Sequence, residues 1–565
     1  MKSMKTRYII AAAALWLMPV AVTAQVDKRV EVTKEYTPVV SGALKLPIAP
    51  DMADTVTMKP DIDYSITPLM YSTELVTVHN FKPSTLTYWD FNRPTNFYLK
   101  LGAGYPVNTV ADFYMSSHNT RTGYIMAAAN HYGEFGKQRN YFDGDGKRNI
   151  LKANTTGKVA GGLYLGKHMF EGELAYDSRV GNRYGAPAAF ADRSYKAEYE
   201  DFRLNLRVGD DFVDLSRINF DVSLFGDFYH DKSDLLRSAK LQQFDFGGGV
   251  RVARRFDRHY VEAVADYRGS RGIKDLHYTG NTLRAGVRYG YRAAIIDLLV
   301  GGDYCCYSDY YHDICSKKYH HAFLPDIRLL LDVTNNEAVT PFVEFDGKLI
   351  NNDCFSLARS SVYYDYDAAS HLPSTLRYEL RGGIFGKFGR GRFGYRAWAG
   401  FAFSDGALYR YIYNYEWMRA VAAGQEVVSV NAELEWHPLD GLTVGAGVSA
   451  RFISNHAKLL DVRMADAESP IDGWLRGRYT HKKFSVGASV FVSGASKWTS
   501  YVEGGTPKNV RMPWYADIGV DFEWKLKEDW RLFVEGSNLA NMQIYRIAYY
   551  REQGIRCTAG IKFIF

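Results

Sequence analysis

The 565-residue chain carries 69 Lys and Arg against 63 Asp and Glu, a formal charge of +6, too near neutral over such a length to give an electrostatic footprint for nucleic acid. Hydrophobic residues make up 47% of it and aromatics 15%, with 50 Gly and 42 Tyr. Yet the mean hydropathy is −0.27, and past the first two dozen residues there is no apolar run of roughly 18 residues, which excludes membrane-spanning helices. An aromatic-rich, glycine-rich chain without apolar runs suits alternating strands.

At the start, Lys2, Lys5 and Arg7 precede an apolar run from Tyr8 to Val22 broken only by Pro19, then Thr23 and Ala24 ahead of Gln25. This predicts a signal peptide over 1–24, with the small residues Val22 and Ala24 at the positions the peptidase reads. No Cys directly follows the run, so the lipoprotein cleavage box is absent. The exported chain keeps a net charge of +3 once these three cations are removed.

Residues 25–94 change character, punctuated by Pro38, Pro47, Pro50, Pro60, Pro68, Pro83 and Pro94, and read as an extended, irregular segment. Within it, Arg29-Val30-Glu31-Val32-Thr33-Lys34 has the look of a TonB box, a short stretch that pairs with TonB by strand addition. Two places suit the segment. It threads into a barrel lumen, where Arg377, Glu379 and Arg381 on one strand and Arg476 and Arg478 on another offer polar partners, or it hangs in the periplasm as a docking arm.

From residue 95 to Phe565 the pattern has period two. Phe393, Tyr395, Ala397, Ala399, Phe401 and Phe403 share one face; so do Val428, Val430, Ala432, Leu434 and Trp436, and again Leu442, Val444, Ala446, Val448, Ala450 and Phe452. One face is lipid-compatible and the other small or polar. Short polar turns near 209, 255, 292, 335, 389, 439, 481 and 526 alternate with long connections, roughly 132–148, 179–193, 305–317, 351–375, 405–425, 454–472, 495–511 and 540–554. Outer-membrane barrels have short periplasmic turns and freely growing extracellular loops. The expectation is an all-β, transmembrane antiparallel barrel of about 22 strands, closed because backbone in hydrocarbon must be fully paired. The last strand places Ile555, Cys557, Ala559, Ile561, Phe563 and Phe565 on one face. Phe563 and the terminal Phe565 read as the signal taken by the barrel-assembly machinery, the partner expected alongside outer-membrane lipid.

Residue types that carry chemistry are sparse. Cys305, Cys306 and Cys315, with His312, His320 and His321 nearby, lack the paired spacing of a tetrahedral metal site. In an oxidising compartment a loop disulfide, drawing also on Cys354, is the better reading. Tyr409, Tyr411, Tyr413, Tyr415 and Trp417 alternate in one expected extracellular loop. They suit either stacking on a ligand face or an upper aromatic girdle. The glycine-rich run from Gly382 to Gly394 has no strand-to-helix context and reads as a hairpin, not a phosphate cradle. No catalytic constellation, metal site or cofactor site is expected, so the protein reads as a non-enzyme.

Glu35-Tyr36-Thr37-Pro38-Val39-Val40, Phe81-Lys82-Pro83, the opening strand from Phe97 to Gly104 and the closing Asn538-Leu539-Ala540-Asn541 hairpin together resemble plugless barrels of the TonB-dependent-receptor-like family. The hairpin departs from the Asn-Leu-Phe-Asp of TonB-dependent transporters. The resemblance covers most of the exported chain and implies an outer-membrane barrel with a ligand-uptake or receptor role and no standard plug, with TonB or other envelope proteins as partners. The alternative is a non-transporting barrel subunit of an envelope assembly or secretion complex.

Overall fold

Alternation decides the architecture because a strand in lipid has to hide every backbone polar group in its neighbours. In the protein, a computed structural model that describes residues 97–564 apart from 118–121, 143–145, 186, 188–195, 213, 234–240, 312–317, 335–336, 366–371 and 390, 22 antiparallel strands form one closed barrel. Closure is made by the first strand, Phe97–Tyr105, against the last, Arg556–Ile564, in a register that sets Leu99 opposite Phe563 and Leu101 opposite Ile561. The segments 1–24 and 25–94, and with them residues 29–34, lie outside the described residues, as do Cys315 and Phe565.

The three alternating runs read from the sequence are neighbours in the wall. Phe401 faces Val428 and Val428 faces Phe452; Tyr395 faces Leu434 and Leu434 faces Ala446. Their large side chains stay uncovered, Val430 at 50% and Phe452 at 67%, as lipid-facing residues do. Leu101, Leu204, Leu283, Val343 and Val520 continue the apolar belt around the barrel. This belt and the closed wall place the protein in the outer membrane of a Gram-negative cell.

The opposite face is an array of ion pairs. Arg288 meets Asp326 at 2.6 Å and Asp303 at 3.1 Å, Arg478 meets Asp521 at 2.8 Å, and Lys100 meets Glu535 at 2.7 Å. The basic residues proposed above as partners for residues 25–94 are engaged within the wall itself: Arg377 with Glu379 at 3.1 Å, Arg381 with Glu344 at 3.2 Å, and Arg476 lying over the Trp474 ring at 4.9 Å.

The rim carrying both barrel ends has only short connections, such as 166–167, 257–258, 440–441 and 481–483. The opposite, extracellular rim carries the connections that leave Asn182, Ile350, Asn455, Ser493 and Ser537. Three connections expected to be long are strand over much of their length. Gly123–Arg139 pairs with Lys147–Leu165, the strand Ile296–Tyr311 takes in the first part of another, and Phe393–Tyr413 pairs with Trp417–Leu439. The last hairpin turns only at 414–416, where Asn414 and Tyr415 both have positive φ, 49° and 64°, the left-handed pair that matches strand twist in a tight hairpin. Cross-strand pairing therefore persists beyond the membrane wall wherever a tight turn can be made.

Candidate functional site: the loop cap over the barrel mouth

The extracellular connections pack on one another. The 351–374 connection contributes a seven-residue helix, Cys354–Ser360, which the sequence did not signal. Asp353 caps it, its carboxylate accepting from Ser356 N at 2.7 Å. The apolar residues Cys354, Phe355, Leu357 and Ala358 are its buried face. On the upper inner wall Cys354, Phe355 and Ala358 cluster with Tyr199, Tyr229, Leu241, Leu276 and Tyr278, while Leu357 packs with Tyr363 and Tyr364. Charge fixes the seat: Asp353 pairs with Arg268 at 3.1 Å and Arg359 with Asp201 at 2.7 Å, while Phe355 N donates to Gln243 Oε1 at 3.2 Å.

Beyond the helix, Tyr363 stacks at 4.2 Å on Tyr550 of the last loop, and Tyr550 donates to the Glu416 carbonyl at 2.5 Å. Tyr184 contacts Tyr550 at 5.2 Å and donates to the Arg551 carbonyl at 3.1 Å. Around these, Ile412, Met418, Trp498, Met512 and Ala548 complete an apolar cluster. Four separate connections and one hairpin thus meet across the mouth. Burial holds the Tyr363 and Tyr550 phenols well above the ordinary tyrosine range, so both remain neutral donors. Asn538, fully buried with φ 49°, pins the root of the last loop, donating to the carbonyls of Met542 at 3.0 Å and Gln553 at 3.2 Å. The closing-hairpin motif is therefore an anchor for the cap.

The tyrosine ladder belongs to this packing. Ser404 pairs with Gln425 but Ala407 with Ala423, so two residues of one strand oppose one of the other. Such a bulge moves following side chains to the other face, and Gly406, at φ 73°, supplies the backbone it needs. Tyr409 and Tyr411 consequently bury against Ala457 and Met464. Tyr413 donates to Glu503 at 2.8 Å beneath the Arg419 guanidinium, Tyr415 packs on Phe142 and Tyr549, and Trp417 carries the Arg183 guanidinium at 3.2 Å. The five residues hold the cap together from a strand hairpin; the sequence had set them in a loop.

Cys305 and Cys306 are adjacent on one strand and point to opposite faces. Cys305 is buried against Ala322 and Leu324, Cys354 sits in the helix cluster, and Cys305, Cys306, Cys354 and Cys557 are free thiols. Burial raises the Cys354 thiol far above its ordinary value, which leaves it unreactive. Phe563, expected in the assembly signal, lies at the closing seam, its ring 5.7 Å from Phe97 and 4.9 Å from Trp530. Among the described residues no group of His, Cys, Asp and Glu is arranged to hold a metal.

No protein-family model and no curated protein matches the chain. Its fold is nonetheless shared with solved metal transporters and an outer membrane receptor. It is similar to the FrpB iron transporter from Neisseria meningitidis, with TM-score 0.66 at 12% identity over 83% of this chain and 82% of that one. The copper transporter OprC gives 0.61 at 13% over 83% and 82%. The pyoverdine outer membrane receptor FpvA from Pseudomonas aeruginosa PAO1 gives 0.63 at 12% over 83% and 78%.

Proposed function

We propose that the protein is an outer-membrane receptor of the TonB-dependent class that lacks a standard plug and whose extracellular mouth is gated by its own loops. The observation that carries this is the cap: four connections and one hairpin converge on Tyr363 and Tyr550, across a barrel of the fold shared with an iron transporter, a copper transporter and a pyoverdine receptor. In this reading residues 25–94 stand in for the plug in function, with 29–34 as the TonB-contacting stretch. Ligand capture then consists of opening or reshaping the cap. A second reading, a non-transporting subunit of an envelope assembly, is favoured by one feature: Ile412, Met512 and Ala548 have no exposure at all, as in a lid that stays shut.

Conductance in planar bilayers tests the gate. The parent protein is expected to be closed, and Tyr363→Ala with Tyr550→Ala, each removing a packed ring worth roughly 3 kcal/mol, is expected to give open events while the barrel still migrates as folded. Large steady conductance from the parent would remove the gating idea. Extraction from native membranes separates the two readings: companions of the TonB kind or a surface lid protein support uptake, whereas a fixed complex with other barrels supports the scaffold.

A further inference from the structure

Arg183 follows directly on the strand His168–Asn182 and is 5% exposed. Its Nε and Nη1 atoms are buried and make no hydrogen bond. Its guanidinium lies over the Trp417 ring at 3.2 Å. The carboxylates of Asp365, Glu416 and Asp231 act on it from beyond ion-pair distance. Two of these are engaged elsewhere: Asp365 with Arg419 at 2.6 Å, and Asp231 as acceptor from Ser233 N at 2.8 Å and Tyr229 Oη at 3.4 Å. Burial lowers the Arg183 pKa to about 10, so the side chain is still a cation at neutral pH. A buried guanidinium with two of its nitrogens unbonded and no carboxylate within ion-pair distance among the described residues is costly to keep, and this one lines a cleft with Tyr199, Tyr229, the Asp231 carboxylate, Ser233, Tyr364 and Trp417.

We propose that this cleft binds an oxyanion group of an organic ligand, a carboxylate or a phosphate, on the Arg183 guanidinium, with the surrounding aromatic rings as its apolar walls. Guanidinium geometry suits both anions and presents its N–H groups as a rigid fork. The cleft is built by the ends of strands in the wall, by Val362 and Tyr364 of the helix-bearing loop, and by Trp417 of the tall hairpin. An anion seated there ties the three together. The inference deepens the receptor reading by naming the chemistry the mouth selects, but oxyanion binding in itself requires no transport.

Full-length protein in detergent is titrated calorimetrically with inorganic phosphate and with acetate, and its melting is followed in each salt against chloride at equal ionic strength. The expected result is saturable binding of one or both anions at roughly millimolar concentration or below, with melting raised in that salt. Arg183→Met is expected to abolish binding and, without anion, to melt at or above the parent because the uncompensated charge is gone. Arg183→Lys is expected to weaken binding about tenfold, since an ammonium does not replace the fork. Phosphate binding alone assigns the phosphate class and acetate binding alone the carboxylate class. No binding of either anion by the parent, or an unchanged titration in Arg183→Lys and in Arg183→Met where it folds, overturns the site. That failure leaves the receptor reading standing, whereas anion binding with no gating by the cap variants sinks the receptor reading and leaves the site.

Discussion

Phe401, Val428 and Phe452 reach their positions by pairing with the next strand along the chain, whereas Tyr550 meets its acceptor Glu416 across 134 residues and Tyr184 meets Arg551 across 367. The wall repeats one local rule strand after strand, so a substitution there is buffered by ladders on both sides. In the cap a few aromatic and charged side chains join loops that have no backbone ladder in common. A barrel of this kind can keep a rigid wall and alter its mouth, because local stability follows local contact density.

The wall is most vulnerable where it imitates the cap, at a long-range buried pair. Arg556 of the last strand meets Glu134 of the third at 2.5 Å, with side chains 7% and 5% exposed, and Tyr132 donates to the same carboxylate at 2.5 Å. Arg556→Met strands that carboxylate and is expected to destabilise the barrel by about 3–5 kcal/mol, while Arg556→Met with Glu134→Leu is expected to recover most of the loss. Urea unfolding in lipid vesicles reads both. A double variant as weak as the single would mean that the pair is not a self-contained unit.

In the cap, Asp353→Ala is a smaller perturbation. It removes the helix N-cap and one of the two partners of Arg268, which keeps Asp245 at 2.6 Å. The expected cost is about 1–2 kcal/mol, confined to the cap: amide exchange over 354–360 quickens while barrel melting holds. If melting fell with it, wall and cap would be one cooperative body.

This contrast also explains what the sequence discloses. Period two is local, so the strands, the lipid face and the short-turn rim are legible from residues such as those at 428–452. The hairpin through Tyr409 and Tyr411 resembles a loop in sequence because it alternates Tyr with Arg and Ile rather than lipid-facing apolar residues, and because a one-residue bulge has no mark beyond Gly406. The helix Cys354–Ser360 is too short to show helical periodicity. Nothing adjacent to Tyr363, Tyr550 or Arg183 announces partners from other loops. The wall was therefore readable and the cap was not, apart from the Asn538 anchor, which the closing-hairpin motif did contain.

The mildest test separates the two regions by pH. Asp466, in the 456–470 connection of the cap, has one carboxylate oxygen accepting from Glu468 N at 3.1 Å and the other buried without a hydrogen bond. Burial first, and then the nearby Glu468 charge, raise its pKa from the ordinary 3.8 to about 6. The folded cap thus holds a proton that the unfolded loop releases near 3.8. Its contribution to stability is complete below that value and is lost as pH rises through about 6. Protease cleavage of the 456–470 loop is expected to be slower at acidic pH than at neutral pH, and Asp466→Asn, which cannot ionise, is expected to flatten that dependence and hold the loop at its acid-state stability. An identical pH response in Asp466→Asn would assign the effect to another group and leave the cap without this acid-side reinforcement.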